Sequence, residues 1–477
     1  MMNNHAKRTI PLIIFLFMII LTAIAFSAQN DPVITVLVAQ GKTDITISST
    51  GGLKAQLGTK SYSVSSQEVL TLLPSGKKMI WEEKQLLSSS IRITTQGKGF
   101  LVVNDRPYRG SFLVKNEKGS LDLLNLVSLD DYIRGTIKLE ISPRWPEEAV
   151  KAQIITARTY AVKNLSRHRD EGYDFCASSH CQVYGGVNAE DPITNKMVDA
   201  TRGLILTYQN QPAGVCFHSE SGGRTDSAQN VWGKSVPYLI SVDSPWEGDS
   251  PHARWELELS GSEMTTALQK AGFIQGDIVQ IRVQPDSQDQ RVKDCIIQTT
   301  FKQYRIPASR LRQAIGYDRL PSTFFECIPN SHPVSSPAPT PTQEPIPTPF
   351  IQLDSNDAGS EPGYKDMLDK DWNLDDIMTF LHLRQRERQQ SKMVKDTDHS
   401  ISNPMEIDEN DEISTNNNTP QVVDISGLTY LFRGRGYGHG VGLSQWGARG
   451  MAMEGYTYQD ILLHYFPGCE IKKARFK

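Results

Sequence analysis

The chain has 477 residues, more than one ordinary hydrophobic core holds, so we expect two or three folded units. Hydrophobic residues make up 38% and charged residues 22% of it, which argues against a disordered protein and against one with many membrane spans. A net charge of −4 without a basic block argues against nucleic acid or another polyanion as the partner.

Residues 1–28 have the pattern of an export signal. Lys7 and Arg8 precede an apolar run over residues 10–21. Small residues follow at the spacing that a signal peptidase reads, namely Ala25 and Ser27. The run is also nearly long enough to span a bilayer if it is not removed, so a cleaved signal peptide and an uncleaved anchor both stay open. We expect the rest of the chain outside the cytoplasm, either secreted or anchored to the cytoplasmic membrane by its N-terminus.

Residues 31–120 predict a β-rich subdomain. Residues 33–38 form a continuous apolar run, and residues 44–48 and 91–94 alternate between apolar and polar side chains, which is typical of strands. No cluster of chemically reactive side chains stands out in this region. We therefore interpret it as a β scaffold.

Residues 121–327 mix helical and strand patterns, and we expect an α+β region that carries the chemistry. Residues 146–162 predict a helix, because Pro146 suits a first helical turn and acidic residues follow at the positive end of the helix dipole. One face of this helix is built of residues that allow close packing: Ala149, Ala152, Ile155, Thr156 and Thr159. Further helices are expected over 261–271 and 308–315, and further strands over 278–283 and 295–300.

Residues 328–427 interrupt these patterns. Residues 333–349 are rich in proline, serine and threonine, which is typical of an extended linker, and residues 354–418 are acidic and polar. We interpret the stretch as a disordered insertion in which residues 372–390 can form a short amphipathic docking helix. Residues 428–477 are expected to complete the preceding folded region.

Glu140 is the candidate proton donor of the chain. It stands just before the predicted helix, in a turn that contains two prolines and Trp145. A carboxyl group beside aromatic and apolar groups loses hydration of its charged form, so its pKa should rise toward the range in which it can donate a proton. A solvated turn glutamate or a helix N-terminal cap is the alternative on the residues alone.

Cys176, His180 and Cys181 offer three ligands of the kind that Zn²⁺ prefers. The motif lacks a fourth ligand, which Cys216, His218 or a water molecule can supply. A disulfide between the two neighbouring cysteines and a pair of free thiols are the alternatives, since an exported location permits disulfides. The wide spacing of the six cysteines does not resemble a small disulfide scaffold.

Two later blocks combine glycines with groups that bind sugars. The first contains backbone that can approach a ligand closely, neutral hydrogen-bonding groups and flat aromatic faces: His218, Ser219, Ser221, Gly222, Gly223, Trp232 and Tyr238. A serine hydrolase is not favoured, because Ser219 and His218 are adjacent and no G-x-S-x-G motif is present.

The second block is the glycine-rich segment over residues 434–450. Tight turns would bring Tyr437, His439 and Gln445 to one edge of a cleft, whereas a structural hinge is the alternative. The segment lacks the strand, the helix and the Gly-Lys-Ser/Thr of nucleotide-binding loops.

Taken together, these blocks resemble the sporulation stage II protein D family (SpoIID/LytB domain). The matching strings lie at residues 131–140, 152–161, 180–186, 218–233 and 436–445. They stand in the family's order, and the resemblance covers most of residues 31–327 and 428–470. Many family members have methionine after the glutamate where this chain has Ile141, a swap that keeps apolar volume.

The resemblance implies a peptidoglycan lytic transglycosylase with one essential glutamate, which Glu140 matches. In such an enzyme one carboxyl protonates the glycosidic oxygen between N-acetylmuramic acid and N-acetylglucosamine. It then takes a proton from the C6 hydroxyl, which closes a 1,6-anhydro ring without a water nucleophile. The resemblance also implies a zinc ion near Cys176, His180 and Cys181, with a structural rather than a catalytic role.

We assign the substrate-binding role to twelve residues of the matching strings: Arg158, Tyr160, Gln182, Tyr184, His218, Ser219, Ser221, Gly222, Trp232, Tyr437, His439 and Gln445. The expected partners are peptidoglycan glycan strands, a cell-wall amidase, and the membrane if the N-terminus is uncleaved. The expected process is wall remodelling during engulfment in sporulation. The alternatives are a non-catalytic amidase enhancer or glycan-binding module, and a metallohydrolase that uses the Cys/His site.

Overall fold

The computed structural model describes residues 31–81, 84–86, 88–178, 180–285, 291–330 and 429–474. The predicted export signal, residues 331–427 of the predicted insertion and its docking helix lie outside the described residues. The described part is an α+β protein, as the sequence predicts. Within it, no helix combines the length and the apolar character that crossing a membrane requires.

The predicted β-rich region is confirmed and extends eight residues further than expected, from 120 to Ser128. Its strands are β1 (Val33–Lys42), β2 (Ile45–Ser49), β3 (Leu53–Leu57), β4 (Lys60–Val64), β5 (Leu70–Ser75), β6 (Lys78–Trp81), β7 (Lys84–Leu86), β8 (Ser90–Thr95), β9 (Leu101–Val103), β10 (Arg106–Tyr108), β11 (Ser111–Glu117) and β12 (Ser120–Ser128). One sheet has the order β10-β9-β2-β5-β6-β7. In the other, of order β13-β1-β12-β11-β8-β3-β4, the added strand is β13 (Phe175–Cys176). The alternating side chains of these strands bury one face, so the first core lies between the sheets and the helices that follow.

Eight α-helices follow in the described residues: α1 (Leu129–Ile137), α2 (Glu147–Lys163), α3 (Pro192–Ala200), α4 (Ala228–Trp232), α5 (Gly261–Lys270), α6 (Ala308–Ile315), α7 (Gln445–Met453) and α8 (Tyr458–Tyr465). The remaining strands are β14 (Leu204–Tyr208), β15 (Gln211–Pro212), β16 (Phe217–His218), β17 (Trp255–Ser260), β18 (Ile278–Pro285), β19 (Val292–Thr299), β20 (Gln303–Pro307), β21 (Phe325–Asn330), β22 (Thr429–Gly434), β23 (Leu443–Ser444) and β24 (Glu470–Lys473). All helices and strands predicted between residues 146 and 315 are present.

Helix α2 lies between two hydrophobic cores. Val150 and Ile154 face the first core, while Ala149, Ala152 and Ile155 face a second core built with β14, α7 and α8. Because these positions repeat at helical spacing on two sides, the helix is apolar nearly all round, which is typical of a buried helix. The predicted close-packing face is thus the face toward the second core.

A third core lies in residues 255–328 together with β22. It packs α5 and α6 against two three-stranded sheets, β17-β22-β21 and β18-β19-β20. Strand β22 pairs with β21 so that Thr429 lies opposite Asn330. The residues on either side of the 331–428 stretch are therefore neighbours in one antiparallel pair, and residues 328–330 belong to β21 rather than to the predicted insertion.

Candidate functional site

Glu140 lies in the turn that ends α1. The helix starts at Ser128, whose hydroxyl accepts a hydrogen bond from the Asp131 backbone N–H and so caps the first turn. The turn closes when the Glu140 N–H donates to the Ile137 carbonyl at 3.0 Å. The Glu140 residue is only 3% exposed, so the alternative of a solvated turn glutamate does not fit its surroundings.

The glycine-rich segment reaches this turn through Gln445, the first residue of α7. Its side-chain amide donates a hydrogen bond of 2.9 Å to the backbone carbonyl of Glu140. The contact joins two positions 305 residues apart in the chain. Gln445 is itself buried. Besides its predicted contact with substrate, it therefore positions the Glu140 turn.

Aromatic rings line the same region. The Trp145 and Trp446 rings meet edge to face with their centroids 5.1 Å apart, and both side chains are buried. The Arg449 guanidinium lies 4.9 Å from the centre of the Trp446 ring. Trp145 and Trp446, which stand close to Glu140 and Gln445 in the chain, are therefore buried together near the Glu140 turn.

Tyr132 of α1 connects Glu140 with the Cys/His cluster. Burial raises the pKa of Tyr132 well above that of a free phenol, and the nearby groups Cys181, Tyr160, Cys176 and Glu140 raise it further. These electrostatic effects require that all four groups lie near the phenol. Glu140 and the two cysteines of the Cys/His cluster therefore all lie within electrostatic range of Tyr132.

The Cys/His cluster contains four candidate ligands rather than three. The ligand atoms of His168, Cys176, His180 and Cys181 all lie within 4.8 Å of one another. The fourth member is therefore His168, and neither Cys216 nor His218 belongs to this cluster. All six cysteines are free thiols in the structure, so the disulfide alternative is not the observed state.

The distances in the cluster fit a tetrahedral metal. His168 Nε2 lies 3.3 Å from Cys181 Sγ, while His180 Nδ1 lies 3.6 Å from Cys176 Sγ and 3.7 Å from Cys181 Sγ. Zinc bonds of about 2.3 Å to sulfur and about 2.0 Å to nitrogen at the tetrahedral angle separate such atoms by about 3.5 Å. The ligand set and these three separations therefore suit Zn²⁺.

Neighbouring groups prepare the ligands for this role. His168 Nδ1 donates to Glu171 Oε1 at 2.6 Å, which leaves Nε2 as the atom that faces the cysteines. Tyr173 donates to the other Glu171 oxygen at 2.6 Å and stacks on the His168 ring. A hydrogen bond from the Cys181 thiol lowers the pKa of Cys176, so one thiolate is readily available to a metal.

Three aromatic rings in contact, those of His218, His439 and Trp232, extend from the interior to the surface where the two predicted sugar-binding blocks meet. His218 is buried, its Nδ1 lies 3.1 Å from the Val441 carbonyl, and burial lowers its pKa well below the usual value, so it is neutral. The His439 ring lies 5.5 Å from His218 and 5.3 Å from Trp232, which is 50% exposed. Trp232 thus offers an aromatic face to solvent that suits a sugar ring.

Ser221 and Gly222 turn inward to a buried carboxylate. The Ser221 hydroxyl and the Gly222 N–H donate to Glu247 at 2.6 and 2.7 Å, and Ser444 donates to it at 2.5 Å. The carbonyl of half-buried Ser219 accepts a hydrogen bond from the Trp446 N–H at 3.0 Å. These predicted substrate-binding residues therefore hold the glycine-rich segment in place. Glu247 lies 26 positions from Ser221 and has no local signature in the sequence.

Tyr437 is a third contact between the two blocks. It is buried, its ring lies 4.6 Å from that of His252, and its hydroxyl donates to Asp318 at 3.3 Å. His252 Nδ1 also lies 3.2 Å from the buried carboxyl of Glu220, and burial raises the pKa of that carboxyl. Glu220 and His252 were not among the predicted residues, because isolated acidic and histidine residues carry no local signature.

Arg158 and Tyr184 require a correction, since they lie inside the first core. The Arg158 side chain is fully buried and pairs with Asp130 at 2.9 Å, while Tyr184 donates to Asn125 at 2.8 Å. Neither side chain lies on a surface that a glycan can reach, and both satisfy buried partners instead. The predicted direct contacts of these two residues with substrate do not fit this geometry.

Gln182 and Tyr160 lie closer to the candidate site. Gln182 is buried directly after the ligand Cys181, and no hydrogen-bond partner for its amide is found among the described residues. The half-buried Tyr160 accepts a hydrogen bond from Arg167 at 2.7 Å. Gln182 thus adjoins the Cys/His cluster in the chain, and Tyr160 reaches it through Arg167, whose guanidinium lies 3.4 Å from His180 Nε2.

Comparisons with known proteins agree with this grouping. Residues 117–208, which contain Glu140 and the four Cys/His ligands, match the family model SpoIID, described as stage II sporulation protein. An uncharacterized protein of Brachyspira hyodysenteriae is 26% identical over 454 residues, 94% of each chain.

Two similar proteins of Bacillus subtilis have descriptive names. Stage II sporulation protein D is 32% identical over 158 residues, which cover 30% of this chain and 46% of that protein. The amidase enhancer is 34% identical over 134 residues, which cover 28% of this chain and 18% of that protein. These two matches span less than half of either relative.

Proposed function

We propose that this protein is a peptidoglycan lytic transglycosylase, because residues 117–208 match the SpoIID family model and the similar proteins with descriptive names point to a role in cell-wall remodelling. It cleaves the bond between N-acetylmuramic acid and N-acetylglucosamine and leaves 1,6-anhydro-muramic ends, in wall remodelling during engulfment in sporulation. The observation that carries the proposal is the enclosure of Glu140, which is 3% exposed beside the Trp145–Trp446 pair and is positioned by Gln445.

Glu140 acts first as an acid and then as a base in this reaction. A carboxyl that has lost its hydration stays protonated at a higher pH, so it can give its proton to the glycosidic oxygen. The resulting carboxylate takes the proton of the C6 hydroxyl as that oxygen attacks C1. One carboxyl serves both steps, because the substrate supplies the nucleophile that a second carboxylate would otherwise activate as water.

Zinc is proposed as a structural ion, held by His168, Cys176, His180 and Cys181. A thiolate-containing site with four protein ligands leaves no open position, so the ion contributes folding free energy rather than chemistry. Cys176, Cys181 and Glu140 all raise the pKa of Tyr132, so the proposed zinc site and the proposed acid both lie near this phenol.

Replacing Glu140 with glutamine tests the catalytic role. Glutamine keeps the size of the side chain but cannot donate a proton, so formation of anhydro-muramic ends from glycan strands should fall by at least about 100-fold. Mass spectrometry of the products checks this. Glu117→Gln removes an exposed carboxyl in β11 and should leave the product yield unchanged.

The amidase enhancer offers a second candidate function, since 134 residues of this chain are 34% identical to it. In that role the protein binds glycan and stimulates a separate cell-wall amidase without cutting the strand. If the Glu140→Gln variant stimulates an amidase as well as the wild type does, and neither forms anhydro ends, the enhancer is the better description. Both functions place the protein outside the cytoplasm, as proposed for its exported N-terminus.

A further inference from the structure

Arg449 is a half-buried cation near the Glu140 turn. It belongs to α7, four positions after Gln445, so the two residues share one face of the helix and lie about 6 Å apart along its axis. Gln445 is the residue whose amide contacts the Glu140 backbone. Arg449 therefore lies one helical turn from a direct contact with the residue proposed as the acid.

The surroundings of Arg449 leave its hydrogen-bond donors available. Its guanidinium lies 4.9 Å from the centre of the Trp446 ring and 5.9 Å from the centre of the Trp145 ring. It forms neither an ion pair nor a hydrogen bond with any residue that the structure describes. Contact with a flat ring orients the plane of a guanidinium and leaves the N–H groups at its edge. Arg449 thus offers a positive charge in a defined position, together with unused donors.

The two tryptophans are a second, independent indication of a ligand. Trp145 is 9% exposed and Trp446 is 2% exposed, and neither indole N–H finds a hydrogen-bond acceptor among the described residues. A buried N–H without a partner costs free energy, which an acceptor on a ligand restores. Indole and guanidinium groups can only donate, so these three side chains offer donors, no acceptor and one positive charge. Such a set suits an anion better than a neutral hydroxyl group.

We propose that Arg449 binds a carboxylate of the muramic acid unit of the glycan substrate and thereby selects the sugar that is placed beside Glu140. The inference rests on the proposed function, because it takes peptidoglycan as the ligand. Glycan strands alternate N-acetylglucosamine, which has no carboxylate, with N-acetylmuramic acid, whose lactyl side chain supplies one. An arginine distinguishes the two sugars because its guanidinium can bind both oxygens of a carboxylate.

The choice of sugar determines which bond is cleaved. Because the two sugars alternate, a strand that shifts by one sugar presents the other kind of glycosidic bond to the acid. The 1,6-anhydro ring closes on the sugar whose C1 loses its bond, and the proposed product requires that this sugar is the muramic acid. A carboxylate bound to Arg449 holds the strand in the register that gives this product.

The carboxylate has two sources in peptidoglycan. The lactyl group of N-acetylmuramic acid carries a free carboxylate when the stem peptide has been removed, and the stem peptide carries its own carboxylates when it has not. Both sources present the chemistry that a guanidinium recognises. Comparison of stripped strands with peptide-bearing strands distinguishes them, since the tighter ligand identifies the source.

The test measures binding of glycan strands to the Glu140→Gln variant of the full chain, so that no turnover occurs. Peptide-free strands are compared with the same strands whose carboxyl groups have been reduced to alcohols. Loss of a charged hydrogen bond should weaken binding of the reduced strands about tenfold. Adding Arg449→Met should weaken binding of the intact strands about tenfold and leave the reduced strands within about twofold, because methionine keeps an apolar contact with the rings but carries no charge.

Two further variants separate recognition from folding. Arg449→Lys keeps the charge without the paired donors, so it should weaken binding of the intact strands by only about threefold. Lys270→Met removes an exposed lysine of α5 and should change the affinity for neither ligand.

Equal affinity of the Glu140→Gln protein for intact and reduced strands, in both stripped and peptide-bearing form, would overturn the proposal. An Arg449→Met variant that binds both kinds of strand equally poorly would also overturn it, since the arginine would then act only on the structure. Carboxylate-dependent binding through Arg449 without any anhydro product from the wild type would instead refute the lytic activity and leave the Arg449 assignment standing.

Discussion

Arg158 shows how one buried charge ties several segments of the first core together. Its guanidinium pairs with Asp130 of α1 and donates to the carbonyls of Val198, Thr201 and Leu204. A buried cation is stable only when its charge and its donors are matched, and here they are matched by groups from three segments. The residue thereby fixes α1, which ends at the Glu140 turn.

Arg158→Met should destabilise the protein because it leaves the Asp130 carboxylate buried without its partner. The expected loss is about 3–5 kcal/mol in the free energy of unfolding, measured by urea titration. Arg202→Met removes an arginine whose side chain is 64% exposed near the same carboxylate, and should cost less than about 1 kcal/mol. A stable Arg158→Met protein with weakened glycan binding would restore the substrate-contact role that the sequence suggested.

His168→Ala should abolish tight metal binding. The wild type should bind one zinc ion per chain by elemental analysis and lose thermal stability on chelation, because metal binding and folding are coupled. The variant should bind about tenfold less metal than the wild type, since only three ligands remain in an otherwise closed site. His464→Ala, in α8, serves as the matched control and should keep the metal.

The metal cluster also shows which part of a site a sequence can reveal. Cys176, His180 and Cys181 stand within six positions of one another, so their local spacing was enough to predict a metal site. His168 joins them because a short 3-10 turn and the pairing of β13 with β1 bring the chain back on itself. Such tertiary contacts leave no mark in the local spacing, and the fourth ligand was therefore missed.

At the scale of single elements, the glycine-rich segment is held by close backbone contacts rather than by hinges. Gly436, Gly438, Gly440 and Gly442 all adopt positive φ angles. The segment pairs with residues of the first sugar-binding block, and β23 runs parallel to β16. The glycines thus allow two backbones to meet where any Cβ atom would separate them.

Gly442→Ala should be among the most disruptive substitutions in this segment. The new Cβ would lie 2.3 Å from the Cys216 carbonyl oxygen, at a φ of 75°. The expected loss exceeds about 3 kcal/mol, which combines a steric clash with the cost of a left-handed alanine. Gly455→Ala, at a φ of 92° with open space around it, should cost only about 1 kcal/mol, and chemical denaturation compares the two. Equal losses would show that the clash is relieved by movement of the segment.

The helices illustrate how far local patterns predict the fold. The limits of α2 were predicted within one residue, since Pro146 and the acidic first turn mark its start. The division of residues 121–327 between two further cores was not predicted. Strands β17 and β21 of the third core both pair with β22, which starts about 100 residues after β21 ends, and such a long-range pairing has no local signature in the sequence.

At the scale of the whole molecule, two elements connect the three cores, namely helix α2 and the glycine-rich segment. Both elements also contribute to the candidate site. Helix α2 joins the first core to the second, and the glycine-rich segment joins the second to the third through Arg291. Glu140 lies beside the first of these junctions.

The pairing of Asn330 with Thr429 predicts that residues 331–428 can be replaced by a short Asn-Gly turn. Because the chain leaves and returns at neighbouring positions of β21 and β22, the replacement disturbs no strand pairing among the described residues. Closing a shorter loop should raise the free energy of unfolding by at most about 3 kcal/mol. Urea denaturation measures this, and the yield of anhydro-muramic ends from isolated glycan strands should stay within about twofold, since Glu140 and Gln445 both lie outside the replaced stretch. A replaced protein that is stable but inactive on isolated strands would show that the 331–428 stretch takes part in the reaction. A replaced protein that is active on isolated strands but mislocalised in cells would show that the 331–428 stretch binds a partner.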